Sequence, residues 1–142
     1  MDPQRNKTNL QRLYDEVMNG HRVDAADDLI TPDRPDHDPN LPPEFTQDRE
    51  GFKRLFRMFI AAFPDLRFET ELMVAENDLV ASYNHMQGTH RGEFMGIPPT
   101  GTSFKVYAAD VCRFTDDGLI AEHWGVFDMG SMMQQLGVAP TG

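Results

Sequence analysis

The order of patterns along the chain predicts an α+β fold, a curved antiparallel sheet with helices from the N-terminal half across its concave face. Two observations carry this expectation. Apolar residues recur at helical spacing as far as residue 63, and from Leu66 onward the period changes to two. At 142 residues and 39% hydrophobic content, the chain is expected to form one domain over residues 1–142. A strongly curved sheet covered in this way makes a cone, and the open end of a cone is a natural small-molecule pocket.

Leu10, Leu13, Tyr14 and Val17 predict an amphipathic helix over 5–19, stopped by Gly20. "DAADDLI" predicts a short second helix ending before Pro32, and the polar, proline-rich "TPDRPDHDPNLPPEF" predicts loop. Phe52, Leu55, Phe56, Phe59, Ile60 and Phe63 form the strongest helical stripe, which Pro64 ends. In "LRFETELMVAE" the alternation puts Phe68, Thr70, Leu72 and Val74 on one face. In "DLVASYNHMQGTH" it puts Val80, Ser82, Asn84, Met86 and His90 on one face, with Tyr83, His85 and Gln87 on the other. "SFKVYAADVCRF" alternates most clearly, with Phe104, Val106, Ala108, Asp110, Cys112 and Phe114 together. "TDDGL" carries an Asp-Gly hairpin turn. The last strand, over 119–127, sets Leu119, Ala121, His123, Gly125 and Phe127 against Ile120, Glu122, Trp124 and Val126. Asp128 then caps a short helix, "MGSMMQQL", that Gly137 closes.

Net charge is −10, from 23 acidic and 13 basic residues. That balance opposes nucleic acid and anionic membrane as partners. A lone cysteine, Cys112, excludes an internal disulfide and a cysteine zinc site. No apolar run is long enough to span a membrane, and "MDPQRNKTN" lacks a signal-peptide core, so a cytoplasmic location is expected. Tyr107, Ala109 and Val111 on one strand, with Ile120, Trp124 and Val126 on the next, would expose a broad apolar patch. A homodimer or higher homo-oligomer is expected to cover it.

Asp110 is the most informative polar residue, because its strand neighbours on the same face are apolar. An unpaired buried carboxylate is costly, so Asp110 must stay protonated or find a donor. It is either a structural aspartate or a general acid/base. His123 belongs to the next strand of the hairpin and shares that inward side, and a His–Asp contact tunes both groups. The pair is expected within hydrogen-bonding reach inside a cavity. Asn84 could orient a substrate carbonyl, and His37 in "PDHDP" lies on a loop that could fold over a pocket mouth. The loop over 91–102 is expected at the pocket rim, with Phe94, Met95 and Ile97 packed across the opening. No HxH or HExxH spacing supports a metal site from His37, Asp38, His90, His123 and Asp110, so no metal is expected. Ser131 and Cys112 lack the surroundings of a nucleophile.

Through Gly88, His90, Gly92, "GIPPTG", "DDGLIAEHW" and "QQLG", the sequence resembles the SnoaL-like polyketide cyclase family, especially the branch labelled ester cyclases. "LYDEVMNG", "HDP" and "GFKRLFRMFIAAFPDL" agree more loosely, so the resemblance covers nearly the whole chain. It implies an NTF2-like cone with a deep apolar cavity and chemistry without metal or cofactor. That chemistry is an intramolecular aldol ring closure on a polyketide or a related small apolar carbonyl compound. It also implies a departure. The family's acid/base aspartate matches Gly125, two residues past the histidine matching His123, and a histidine matches Asp110. The expected enzyme therefore uses Asp110 as acid or base, His123 to tune it, and His90 or Asn84 at the substrate oxygen, with Gly125 opening room in the cavity. The alternatives are a small-molecule binder without catalysis and an epoxide hydrolase or isomerase.

Overall fold

The computed structural model describes residues 2–138. Helix α1 (Pro3–Leu13) is capped by Asp2, whose side chain accepts the Arg5 N–H. It runs without a break into a π-helical stretch, Tyr14–Asn19, where the sequence predicts ordinary helix. One short 3₁₀ turn, Val23–Asp28, follows, and another, Pro43–Phe45, lies within the predicted loop. Helix α2 (Arg49–Ala62) buries Phe52, Leu55, Phe56 and Phe59 along its inward stripe. Four strands follow: β1 (Arg67–Glu76), β2 (Leu79–Thr89), β3 (Ser103–Phe114) and β4 (Ile120–Phe127). They form one antiparallel sheet in the order β1-β2-β3-β4, and helix α3 (Met129–Leu136) closes the chain. Helices α1 and α2 supply the core that fills the sheet's concave side, so the fold is the α+β cone expected. No helix among the described residues is long and apolar enough to cross a membrane.

The segment predicted as loop is more ordered than its composition suggests. Residues 29–37 lie parallel to β4 like a strap. Thr31 N–H donates to the Ile120 carbonyl and Ile120 N–H to that of Leu29, at 2.9 and 2.8 Å. His123 N–H reaches the Pro35 carbonyl at 3.1 Å and His37 N–H the His123 carbonyl at 2.8 Å. The strap covers an otherwise open sheet edge and sets Asp36 opposite His123.

Two bulges correct the expected strand faces. The β1–β2 register shifts between Thr70 and Leu72, which turns Leu72 and Val74 outward and packs Met73 and Ala75 against the core. A second shift, between Arg113 and Phe114, turns Ile120 inward, where it is fully buried instead of standing beside Trp124.

Candidate active site

A cavity of about 80 Å³ lies between α2 and the sheet. Leu55, Phe59, Phe68 and Ile120 make part of its apolar wall, and its polar residues are Tyr14, Arg34, Asp36, Asp38, Asp110 and His123. Strand parity places Asp110 here as expected, with Gly125 directly opposite it in the β3–β4 register and Cys112 opposite His123.

Asp110 and His123 meet. His123 Nε2 donates to Asp110 Oδ1 at 2.8 Å, and its Nδ1 donates to Asp36 Oδ1 at 2.9 Å. Burial alone would depress the imidazole, but hydrogen bonds and charge from Asp110 and Asp36 outweigh it and raise His123 to about 9. His123 is therefore an imidazolium at neutral pH, with a carboxylate on either side. Burial also disfavours the Asp36 carboxylate, yet its bond to His123, helped by the nearby Arg34 and the Asp38 N–H, holds its pKa below the usual value. Asp38 shifts the other way, raised mainly by burial and further by Asp36 and Asp110.

The other oxygen of Asp110 is held by the helical layer and the neighbouring strand. Tyr14 O–H donates to Oδ2 at 2.9 Å and Asn84 Nδ2 at 3.2 Å. The Tyr14 oxygen also lies 2.8 Å from Ser82 Oγ, and Thr70 Oγ1 donates to Asn84 Oδ1 at 2.8 Å, which fixes the amide's orientation. Burial, followed by the Asp110 charge, pushes the Tyr14 phenol well above its ordinary value, so it stays protonated and able to donate. Tyr14 opens the π-helical stretch, a distortion often found where a helix serves a site.

Gly125 does not open room in the cavity. A Cβ on it would stand 2.6 Å from His123 Cε1, 2.8 Å from Asp110 Oδ1 and 2.8 Å from His123 Nε2. The space is filled by the Asp110–His123 hydrogen bond, and the bond requires the glycine.

Several expected contacts lie elsewhere. Asn84 positions Asp110 and is absent from the cavity lining, so it is not a direct contact for a substrate carbonyl. His37 is half-exposed, stacks on Trp124 at 5.2 Å and pairs with Glu122 Oε2 at 2.8 Å, outside the cavity. His90 is fully buried against Phe63, and its Nδ1 accepts the Thr100 N–H at 3.3 Å. It anchors a loop rather than meeting a ligand. Phe94 packs at 5.3 Å from Phe59 and 5.2 Å from Phe63, one layer behind the cavity wall. Ile97 pairs with Phe94 through backbone bonds and Met95 projects outward, so none of the three covers the opening. Gly88 and Gly92 let this loop approach the end of α2, since a Cβ on the first would meet Phe63 Cβ at 2.9 Å and on the second would collide with the Ala61 carbonyl. The glycines and histidine of the 88–92 motif are thus architectural. Among the described residues, no three His, Cys, Asp or Glu side chains converge as a metal site.

Sequence reasoning missed Asp36, Arg34 and Tyr14. Asp36 and Arg34 sit in an aperiodic segment, and the spacing of Tyr14 marked it only as core.

The SnoaL-like polyketide cyclase model matches residues 8–136. Among solved structures, the chain is 36% identical to IdmH of Streptomyces antibioticus, a proposed polyketide cyclase. That match covers 94% of this chain and 99% of IdmH at a TM-score of 0.79. A proposed polyketide cyclase from Acidithiobacillus ferrooxidans is 29% identical over 95% of this chain and 96% of its own, with a TM-score of 0.81. TsrD from Streptomyces laurentii is 25% identical over 97% and 98%, with a TM-score of 0.85. A comparison with curated proteins finds none that matches. The family model, spanning nearly the whole chain, and the agreement with IdmH together place this chain in the SnoaL-like polyketide cyclase family.

Proposed function

We propose that the protein is a cofactor-independent acid/base enzyme of the polyketide-cyclase type, acting on a small, largely apolar carbonyl compound. The observation that supports this most is the Asp110 carboxylate at the wall of an apolar cavity, bonded through Oδ1 to a His123 that is itself held by Asp36. Asp110 takes a proton from the carbon α to a carbonyl, and the C–H electron pair moves into the enolate. The enolate carbon attacks a second carbonyl of the same molecule, forming the ring's C–C bond. The new alkoxide recovers the proton from Asp110, so nothing is oxidised or reduced. Tyr14 and Asn84 hold one oxygen of the carboxylate and His123, itself held by Asp36, holds the other, so the base is positioned before substrate arrives.

Replacing Asp110 with Asn keeps the shape and removes the base. Ring closure of a linear poly-β-ketone, followed by product analysis, should slow by roughly 10²–10⁴-fold. Undiminished turnover in Asp110→Asn sinks the proposal, and opening of an epoxide probe to its diol, with no ring closure of the poly-β-ketone, replaces it with the epoxide-hydrolase alternative. A ligand-binding protein without turnover is the second reading. Gly125 favours it, because the position where the resemblance implies an aspartate carries no carboxylate. On that reading Asp110→Asn changes affinity and there is no rate to lose.

We further infer that two copies pair through the convex face of the sheet. Leu72, Val74, Tyr83, Tyr107 and Trp124 are large exposed apolar groups there, with Tyr83 and Tyr107 stacked at 5.4 Å. Light scattering should give a dimer mass that Tyr107→Glu reduces to the monomer. A monomer mass for the unaltered chain overturns the pairing.

A further inference from the structure

Arg34 is among the most buried residues of the protein, with its side chain 2% exposed, and the mechanism above makes no use of it. It lies on the strap, lines the cavity, and places its guanidinium carbon 5.2 Å from the centre of the Phe52 ring. Its one polar contact is long, from Nη1 to Asp36 Oδ2 at 3.4 Å. Nε and Nη2 have no acceptor within hydrogen-bonding distance among the described residues, and each exposes less than 1 Å². These two nitrogens share one edge of the guanidinium. Their N–H groups point the same way, in the side-on fork that matches a pair of coplanar oxygens. A buried donor left without an acceptor is costly, and two on one charged group more so.

Among the charged groups around the cavity, Arg34 is the one with donors left over for a further acceptor. Asp36 and Asp110 share the His123 imidazolium, burial favours the neutral form of Asp38, and Arg34 is the cation with the poorest pairing. Tyr14 and Cys112, the other titratable groups lining the cavity, are both pushed upward by burial and remain uncharged.

We propose that the Nε/Nη2 edge of Arg34 is the oxygen-binding fork of the cavity, and that the ligand presents to it a planar anionic group with two oxygens, a carboxylate or the enolate of a 1,3-dicarbonyl. The inference rests on the cavity being the ligand site of the proposed cyclase, but not on turnover. On this assignment Arg34 holds the oxygen end of the ligand; for a 1,3-dicarbonyl, Asp110 takes the proton from the carbon between the two carbonyls and Arg34 holds the oxygens of the enolate so formed. Arg34 takes the role that the sequence assigned to His90 or Asn84.

The test is calorimetric titration of the full chain with phenylacetate, 1-phenylbutane-1,3-dione and the neutral 2-phenylethanol. At least one of the first two should bind about tenfold or more tightly than the alcohol, as charge-assisted bidentate bonds require. The preference should vanish in Arg34→Gln and return in part in Arg34→Lys. Tight binding of phenylacetate alone identifies a carboxylate on the substrate. Tight binding of the dione, with its enolate absorption in the complex, identifies a 1,3-dicarbonyl. Equal binding of all three probes, or a preference that survives in Arg34→Gln, overturns the proposal. Should Arg34→Gln not fold, the Arg34 Nε–H resonance of the unaltered protein serves instead. It must shift with the anionic probe and not with the alcohol, and a resonance that stays in place overturns the assignment. Asp110→Asn separates the two readings: if it keeps full turnover while the anion preference depends on Arg34, the cyclase mechanism fails and the fork stands.

Discussion

Two inward-facing histidines, His123 on β4 and His90 just past the end of β2, have been given opposite tasks. His123 lies between two carboxylates at the cavity wall, and charge decides its behaviour. His90 lies behind the wall against Phe63, touched by a threonine hydroxyl and a backbone N–H, and shape decides its behaviour. The identity of the residue and its inward parity are the same in both. What differs is whether a second element brings an acid to it. The strap does this for His123, and the loop after β2 brings only threonines to His90. An inward histidine on a strand is therefore a candidate for chemistry when something packed across it carries charge.

The largest test of this contrast is the pH dependence of stability. His123 has a folded pKa of about 9 against about 6.5 in an unfolded chain. Its contribution is fully present below about pH 6.5 and is lost as pH rises through about 9, a loss of about 3 kcal/mol. Asp36 works in the opposite direction. Its lowered pKa adds stability that is present above the ordinary aspartate value and lost as pH falls through the folded one. Denaturant titrations should therefore show a plateau between roughly pH 4 and 6.5, with a decline on either side. A curve flat from 6.5 to 9 would remove the charge from His123.

Asp36→Asn sharpens the comparison by taking one of the two acids away. The His123 titration, followed by NMR, should fall by about one unit or more, and the alkaline decline should shrink by roughly half. An unmoved titration would mean that Asp110 alone sets the charge. Gly125→Ala comes next. Its methyl would enter the space of the Asp110–His123 bond, and about 2 kcal/mol of stability should go with the displaced pair. Unchanged stability together with an unchanged His123 titration would show that the two side chains yield without cost. The smallest effect belongs to the other histidine. Thr100→Val removes one hydroxyl partner of His90 and should cost about 1 kcal/mol while leaving the pH profile of the protein as it was. A shifted profile would mean that His90 communicates with the cavity after all.

The pairing of Asp110 with His123 was legible because β3 and β4 alternate cleanly around a recognisable Asp-Gly turn, so parity sufficed to put both inside. The faces of β1 and the start of β4 were not legible. A bulge adds a residue without changing composition, and nothing in "ETEL" or "LIAE" marks where the shift falls. Phe94, Met95 and Ile97 misled for another reason. An apolar residue in a loop must go somewhere, and composition does not distinguish a pocket mouth from the back of a helix. Asp36 and Arg34 had a faint sign in "DRPDHDP", where prolines alternate with charges. Prolines stiffen a segment that has to hold polar groups in place, but only the strap's parallel run along β4 gives those charges a destination.

That run has a kinetic consequence. One of the two acids that charge His123, and the cation proposed to face the ligand, are both carried by a segment tied to the sheet's edge by a handful of backbone bonds, with prolines at 32, 35 and 39 limiting how far it can wander when released. If those bonds open together, as small cooperative units of a protein do, the cavity gains a side door and loses its electrostatics in the same event. Closing the door would rebuild both at once. The rate at which the amide hydrogens of Thr31, His37 and His123 exchange with solvent would then measure how often the site is dismantled, and a ligand spanning Arg34 and Asp110 would slow all three by the same factor.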